Sequence, residues 1–174
     1  MPFTPYHLGP SGFIALTLRK YIDIPVFVLV NVIVDIEVLV IGLLGLGWPL
    51  HRYFHTLLFG AVVGISWAVV AYRLRNFFKK IMQTLCIPYE TGFWKMTVSG
   101  VLGVWLHIVI DAIHHRDVII FWPTKAKPLW RLVTQGQVKA ICVGFFVAAV
   151  IVYVTAVLPY VKQNKVKNAA QKAN

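Results

Sequence analysis

Charge is scarce in this chain. Only 13% of its 174 residues are Asp, Glu, Lys or Arg, while 59% are hydrophobic. A water-soluble domain of this length has too much surface to cover with so few charges, so lipid must replace water over much of it. Acidic residues are scarcer still, six against 17 Lys and Arg, which leaves a formal net charge of +11. In a soluble protein that excess would suggest nucleic acid. Here the basic residues stand at the ends of apolar runs, so membrane topology is the better reading. The basic tail 161–174, which has no interleaved aromatics, suits anionic lipid better than nucleic acid, and no nucleic-acid partner is expected. There are two cysteines, Cys86 and Cys142, far apart and in apolar surroundings; neither a disulfide nor a redox role follows from them. Three serines are present, and none completes a G-x-S-x-G elbow, because Ala68 stands where Ser66 would need its second glycine. Ser66 and the Ser99-Gly100 pair read instead as small-residue helix packing. No G-x-G-x-x-G loop, no internal repeat and no removable signal peptide in Met1–Pro10 can be read from the sequence.

What the chain has in quantity is apolar helix. Residues 11–21 and 22–37 make two short helix candidates, and residues 51–80, 92–113 and 138–160 make three long ones. A hydrocarbon core about 30 Å thick needs roughly 20 helical residues, so the long three qualify readily. Residues 38–50 carry Gly42, Gly45, Gly47 and Pro49, which predicts an irregular connection. The fold class expected is all-α: a polytopic transmembrane bundle of four to five membrane helices, the first two short. Residues 1–160 form a single transmembrane domain and 161–174 a basic C-terminal tail. Alternating the helices across the bilayer puts the larger share of Lys and Arg on the side that holds the tail. By the positive-inside rule that side is cytoplasmic. Trp122 and Trp130 mark the connection 114–137 as interfacial on the opposite face.

The same layout gathers all six histidines (His7, His51, His55, His107, His114, His115) on that opposite face, with Asp35, Glu37, Asp111 and Asp117. Asp23 and Glu90 go to the other side as boundary residues. His51 and His55 are four apart, as are His107 and Asp111, so each pair shares one helical face and could occupy two positions around one metal ion. Asp35 and Glu37 are two apart and diverge on a regular helix, unless the helix ends there. A carboxylate inside apolar sequence costs roughly 2.5 kcal/mol or more, and no Lys or Arg stands nearby to offset it. The candidate ligands of a divalent metal, zinc being the first choice, are therefore His7, Asp35, Glu37, His51, His55, His107 and Asp111. His114, His115 and Asp117 read as peripheral. Each motif also has a plainer reading. His7 alone could be an interfacial turn residue, His51/His55 an amphipathic helix start, and His107/Asp111 a hydrogen-bonded pair.

Asp35-Ile36-Glu37, His51-Arg52-Tyr53-Phe54-His55-Thr56, His107-Ile108-Val109-Ile110-Asp111 and Trp122-Pro123, in that order after an early histidine, resemble the YdjM-like family of membrane-bound metal-dependent hydrolases. The resemblance covers roughly residues 1–125. That family carries D-I-D, H-R-G-x-x-H-[ST], H-x-x-x-D and W-P elements. Here the second acid is Glu37, Tyr53 replaces the glycine, and the two histidines stand one residue closer. Those departures imply a re-aimed ligand, or a site that binds metal without turnover. More distantly, the His/Asp-rich helical set is similar to the zinc-dependent phospholipase C and single-strand nuclease group.

The resemblance implies metal-dependent hydrolysis, with one or more ions activating water. Glu37 or Asp35 would take the proton, and Arg52 would hold an anionic group such as phosphate. The interfacial location suggests a lipid or lipid-linked phosphoester as substrate. The alternative is a non-catalytic membrane subunit or structural protein with a stabilising His/carboxylate cluster, partnered by other membrane proteins or by its own copies. A transporter would need polar residues through the membrane depth, and the middles of the third and fifth helices offer almost none.

Overall fold

The computed structural model describes residues 4–161, and the tail residues 162–174 lie outside the described residues. Described residues form helices and turns with no strand. A 3-10 turn, Thr4–His7, leads into α1 (Leu8–Thr17), and α2 (Ile24–Val34) follows. Then come α3 (Ile36–Leu44), α4 (Leu57–Arg73), α5 (Arg75–Thr84), α6 (Phe93–His114) and α7 (Gln135–Val152), whose last turns pass into a π-helical stretch, Tyr153–Val157.

Three helical stretches are long and apolar enough to cross a membrane: Ile24–Leu44, Phe93–His114 and Gln135–Val161. A fourth exists if α4 and α5, which meet at a 78° bend, count as one span. The expected helix over 51–80 is thus interrupted twice. It begins only at Leu57, because Thr56 caps it through a hydrogen bond from Phe59 N–H. It turns at Leu74, where the basic residues Arg73, Arg75, Lys79 and Lys80 begin to punctuate the sequence and only Phe78 and Met82 of α5 are buried.

The second helix is longer than expected. Helix continues through Val38–Leu44 rather than dissolving into a glycine-rich connection. Gly42 lies inside it, and the helix stops at Gly45, whose left-handed φ of 59° closes the C-terminus with its N–H on the Ile41 carbonyl. The reason is hydrophobic length: Ile24–Leu44 is a 21-residue apolar run, and a single interior glycine costs only about 1 kcal/mol. Asp35 marks the break between α2 and α3.

α6 is the central helix. It runs antiparallel to α4, Gly64 lying against Gly100 and Gly60 against Val104 and Ile108. It runs parallel to α2, with Ser99 beside Asp23 and Gly103 against Phe27 and Val30. α1 crosses α7 at Gly9, whose missing side chain admits the Cys142 carbonyl. Ser66, read from sequence as a packing residue, is exposed on α4. Cys86 and Cys142 are both free.

At one end of the bundle Asp23 is fully buried, which a boundary residue is not. It caps α2 by accepting from Val26 N–H at 3.2 Å, and it accepts from the Tyr89 and Thr91 hydroxyls. Its own N–H donates to Ser99 Oγ at 2.7 Å. These bonds satisfy a carboxylate that lipid could not.

Candidate metal centre

The opposite end of the bundle collects the histidines. His7 closes the 3-10 turn and its carbonyl accepts from Ser11 Oγ at 2.7 Å. Asp35 stands at the α2/α3 break, which turns its side chain independently of Glu37. His107 and Asp111 lie one turn apart on the last third of α6, and here the i, i+4 spacing works as expected: Nε2 and Oδ2 are 3.0 Å apart.

His51 and His55 meet by another route. Both precede α4, in a loop rather than on a helical face, and their rings contact edge to face at 4.6 Å. Glu37 organises that loop. Its two oxygens accept the backbone N–H groups of Arg52, Tyr53 and Phe54 at 2.7–3.1 Å, and Oε2 also lies 3.1 Å from His55 Nδ1. Glu37 therefore stands behind His55. Asp117 lies against His51, receiving its N–H at 3.1 Å and standing 3.0 Å from its Nδ1. On His55, the carboxylate on Nδ1 turns the other ring nitrogen inward, the arrangement commonly found behind metal-binding histidines.

Five Nε2 atoms converge on the Asp111 carboxylate. On the Oδ2 side are His107, His55 at 3.6 Å and His51 at 3.8 Å; on the Oδ1 side are His7 at 3.1 Å and His115 at 4.0 Å. Asp35 Oδ1 closes the inner cluster, 3.2 Å from His107 Nε2 and 3.5 Å from His55 Nε2. One ligand atom each from Asp35, His55, His107 and Asp111 fits within 4.8 Å of the others, and so does a second set from His51, His115 and Asp117. The rings pack tightly as well, His7 stacking on His107 and His51 lying against His115, both at 4.1 Å.

The donor set fits a divalent cation. Imidazole and carboxylate are the ligands zinc takes. Nε2 of His7, His55 and His107 are buried without an aligned hydrogen bond, although carboxylate oxygens lie 3.0–3.6 Å away. Lone pairs aimed at a shared centre give that pattern; paired donors and acceptors do not. Charge points the same way outside the spans. Burial opposes charge on His55, yet the neighbouring Asp35 and Glu37 carboxylates outweigh it and raise its affinity for a proton. Burial opposes ionisation of Asp117, and its bonds from His51 overcome that and hold the carboxyl well below its usual range. Burial and the adjacent His51 push His115 down to about 4, so its ring is neutral and able to bind metal.

Of the residues expected in the site, His7, Asp35, His51, His55, His107 and Asp111 face one another. Glu37 is one layer out. Arg52 donates its backbone N–H to Glu37, while its guanidinium lies 4.5 Å from the Trp48 ring and 4.6 Å from that of Tyr53. These residues line an apolar groove of about 280 Å³, shared with Ile36, Val40 and Phe54 and touched by Glu37. His115 and Asp117, read as peripheral, stand inside the cluster. The signal for His115 was its i, i+4 spacing from Asp111, and that for Asp117 the W-P-containing connection, which returns beneath α4: Ile120 carbonyl accepts Leu57 N–H, and Val118 and Ile120 are buried. His114 contacts only His115 among the ring pairs, at 4.7 Å, and lines a separate cavity with Trp130 and Arg131.

A family model described as YdjM inner membrane protein matches residues 21–170. No curated protein and no solved structure matches the chain.

Proposed function

The chain belongs to the YdjM inner membrane protein family, and from that premise we propose that this integral membrane protein is a metal-dependent hydrolase of a lipid or lipid-linked phosphoester. The observation that carries the reading is the convergence of five imidazole Nε2 atoms within 4.0 Å of Asp111, with Asp35 closing the inner group. His55, His107, Asp35 and Asp111 are the principal ligands, with His7 and His51 beside them. A divalent ion held there, zinc by ligand type, would supply Lewis-acid polarisation of the scissile bond and activation of water. Asp35 is the most exposed of the four, its side chain 20% accessible, and is the carboxylate placed to take a proton from water. Glu37, offered by the sequence as a base or ligand, serves as a positioning residue for His55. Arg52 would bind an anionic headgroup while the apolar groove takes the adjoining chain.

We place residues 1–160 in one membrane domain, with the basic tail cytoplasmic and the metal cluster at the opposite face. The test is hydrolysis of anionic phospholipid vesicles by protein purified in detergent, stripped of metal and reloaded with zinc. Release of the headgroup phosphate is expected with zinc and falls to background in Asp35→Asn and His107→Ala. Stoichiometric zinc without turnover on phosphoesters would replace the reading by a second one, a structural metal cluster. That alternative draws on the burial of His55, His107 and Asp111, because a closed four-ligand shell is the structural pattern.

A further inference from the structure

Seven of the ring and carboxylate groups at this end fall into two sets rather than one shell: an inner set, Asp35, His55, His107 and Asp111, and an outer set, His51, His115 and Asp117. Of the inner side chains Asp35 reaches the surface, 20% accessible, and in the outer set His115 and Asp117 keep 16% and 33%.

Asp111 reaches both sets. Oδ2 lies 3.0 Å from His107 and 3.8 Å from His51, and Oδ1 lies 4.0 Å from His115. Oδ2 faces His107 and His55 of the inner set together with His51 of the outer one, and Oδ1 faces His7 and His115, so this one carboxylate touches both sets and is placed to bridge them. His51 precedes α4 and His115 follows α6, and the antiparallel packing of those two helices brings these ends together. The i, i+4 spacing of Asp111 and His115 accounts for the 4.0 Å between Oδ1 and Nε2. Spacing does not require that His51, His115 and Asp117 each bring a ligand atom within 4.8 Å of the others beside that carboxylate.

We propose that His51, His115 and Asp117 form a second divalent-cation site, joined to the inner one through Asp111. This rests on the metal reading above and sharpens it. With Asp111 shared, each ion would have four protein groups around it. Paired ions at bridged sites commonly act on phosphoesters.

The experiment is metal loading of the full chain in detergent, with Mn²⁺ as the sole probe. Bound metal is counted by elemental analysis, and electron paramagnetic resonance reports whether the ions are magnetically coupled. The wild-type protein is expected to take two ions per chain and to show a coupled-pair spectrum. His115→Ala and Asp117→Asn should each retain one ion, with the spectrum of isolated Mn²⁺, while unfolding as cooperatively as wild type. Asp117→Asn preserves shape and sits partly exposed, so it folds even if His115→Ala does not. Wild-type protein that holds one uncoupled ion, unaffected by either change, overturns the outer site and leaves the inner one standing. Wild-type protein that binds no Mn²⁺ and no Zn²⁺ overturns both. Loss of the ion in His107→Ala alongside its retention in Asp117→Asn identifies the inner site independently.

Discussion

Glu37 makes four polar contacts through two oxygens: three loop N–H groups and the His55 ring. One side chain thus satisfies the backbone of residues 52–54 and fixes which nitrogen of His55 faces Asp111. Removing its charge should act at a distance. Glu37→Gln retains the shape but replaces one acceptor oxygen by a donor, so at least one of these contacts is lost. Zinc affinity is expected to fall about 10- to 100-fold, the usual cost of losing a carboxylate behind a ligating histidine. Competition against a chromophoric chelator measures it, and an affinity equal to wild type would show that Glu37 has no hold on His55. The residues legible in the sequence were those whose partner is local. His107 and Asp111 are one helical turn apart, and that spacing places them 3.0 Å from one another in the fold. His115, four residues after Asp111, carries the same spacing signal, which the peripheral reading passes over, whereas Asp117 was not legible, because the connection that holds it folds back beneath α4. Asp23 was hidden for the same reason: its partners Tyr89, Thr91 and Ser99 are more than sixty positions away.

At the scale of elements, the α4–α6 crossing decides where the ligands stand. Gly64 and Gly100 meet backbone to backbone. A Cβ on Gly64 would lie 2.7 Å from the Gly100 carbonyl, and one on Gly100 closer still to that of Gly64. With lipid on the outside, such close approach is what holds helices together. Gly100→Ala must push the two helices apart, and an overpacked contact typically costs about 1–3 kcal/mol. The change sits seven residues before His107, so the shift should also weaken metal binding. Thermal unfolding in detergent checks both, with and without zinc. Gly144→Ala on α7 is the control. Nothing lies within 4 Å of its Cβ, so it should be neutral or stabilise by roughly 0.5–1 kcal/mol. Equal effects at positions 100 and 144 would remove the crossing from the account. The existence of these helices was readable from hydrophobic length, but their interruptions were not. Gly42 and Gly45 look alike in sequence; only the second adopts a left-handed φ and ends its helix. The late start at Leu57 follows from Thr56, which caps the helix through the local Phe59 N–H, while the break at Asp35 coincides with a side chain whose neighbours, His55 and His107, the tertiary fold supplies.

Across the whole molecule, the candidate metal centre draws its groups from several elements. His7 belongs to the turn before α1, Asp35 to the α2/α3 break, His51 and His55 to the loop before α4, and Asp111 and His115 to the end of α6 and its exit. An ion held there would join segments from residue 7 to residue 117 and should stabilise the bundle globally. A ligand at 100 times its dissociation constant adds about 2.7 kcal/mol. The pH dependence separates the ion-bound and ion-free proteins by sign. In the ion-free protein His55 binds a proton more tightly than in the unfolded chain. Its contribution is present below about pH 6.5 and fades as the pH rises through the higher folded value. The ion-bound protein behaves oppositely, because a metal needs neutral imidazole and protons displace it as the pH falls. The rise in melting temperature on adding zinc should therefore be large at pH 8 and nearly absent at pH 5, and His107→Ala should abolish it at both. Melting curves at the two values, with zinc and with a chelator, decide the matter. A zinc increment that persists undiminished at pH 5 would mean that carboxylates alone hold the ion, and the convergence of the five imidazoles on Asp111 would then need another cause.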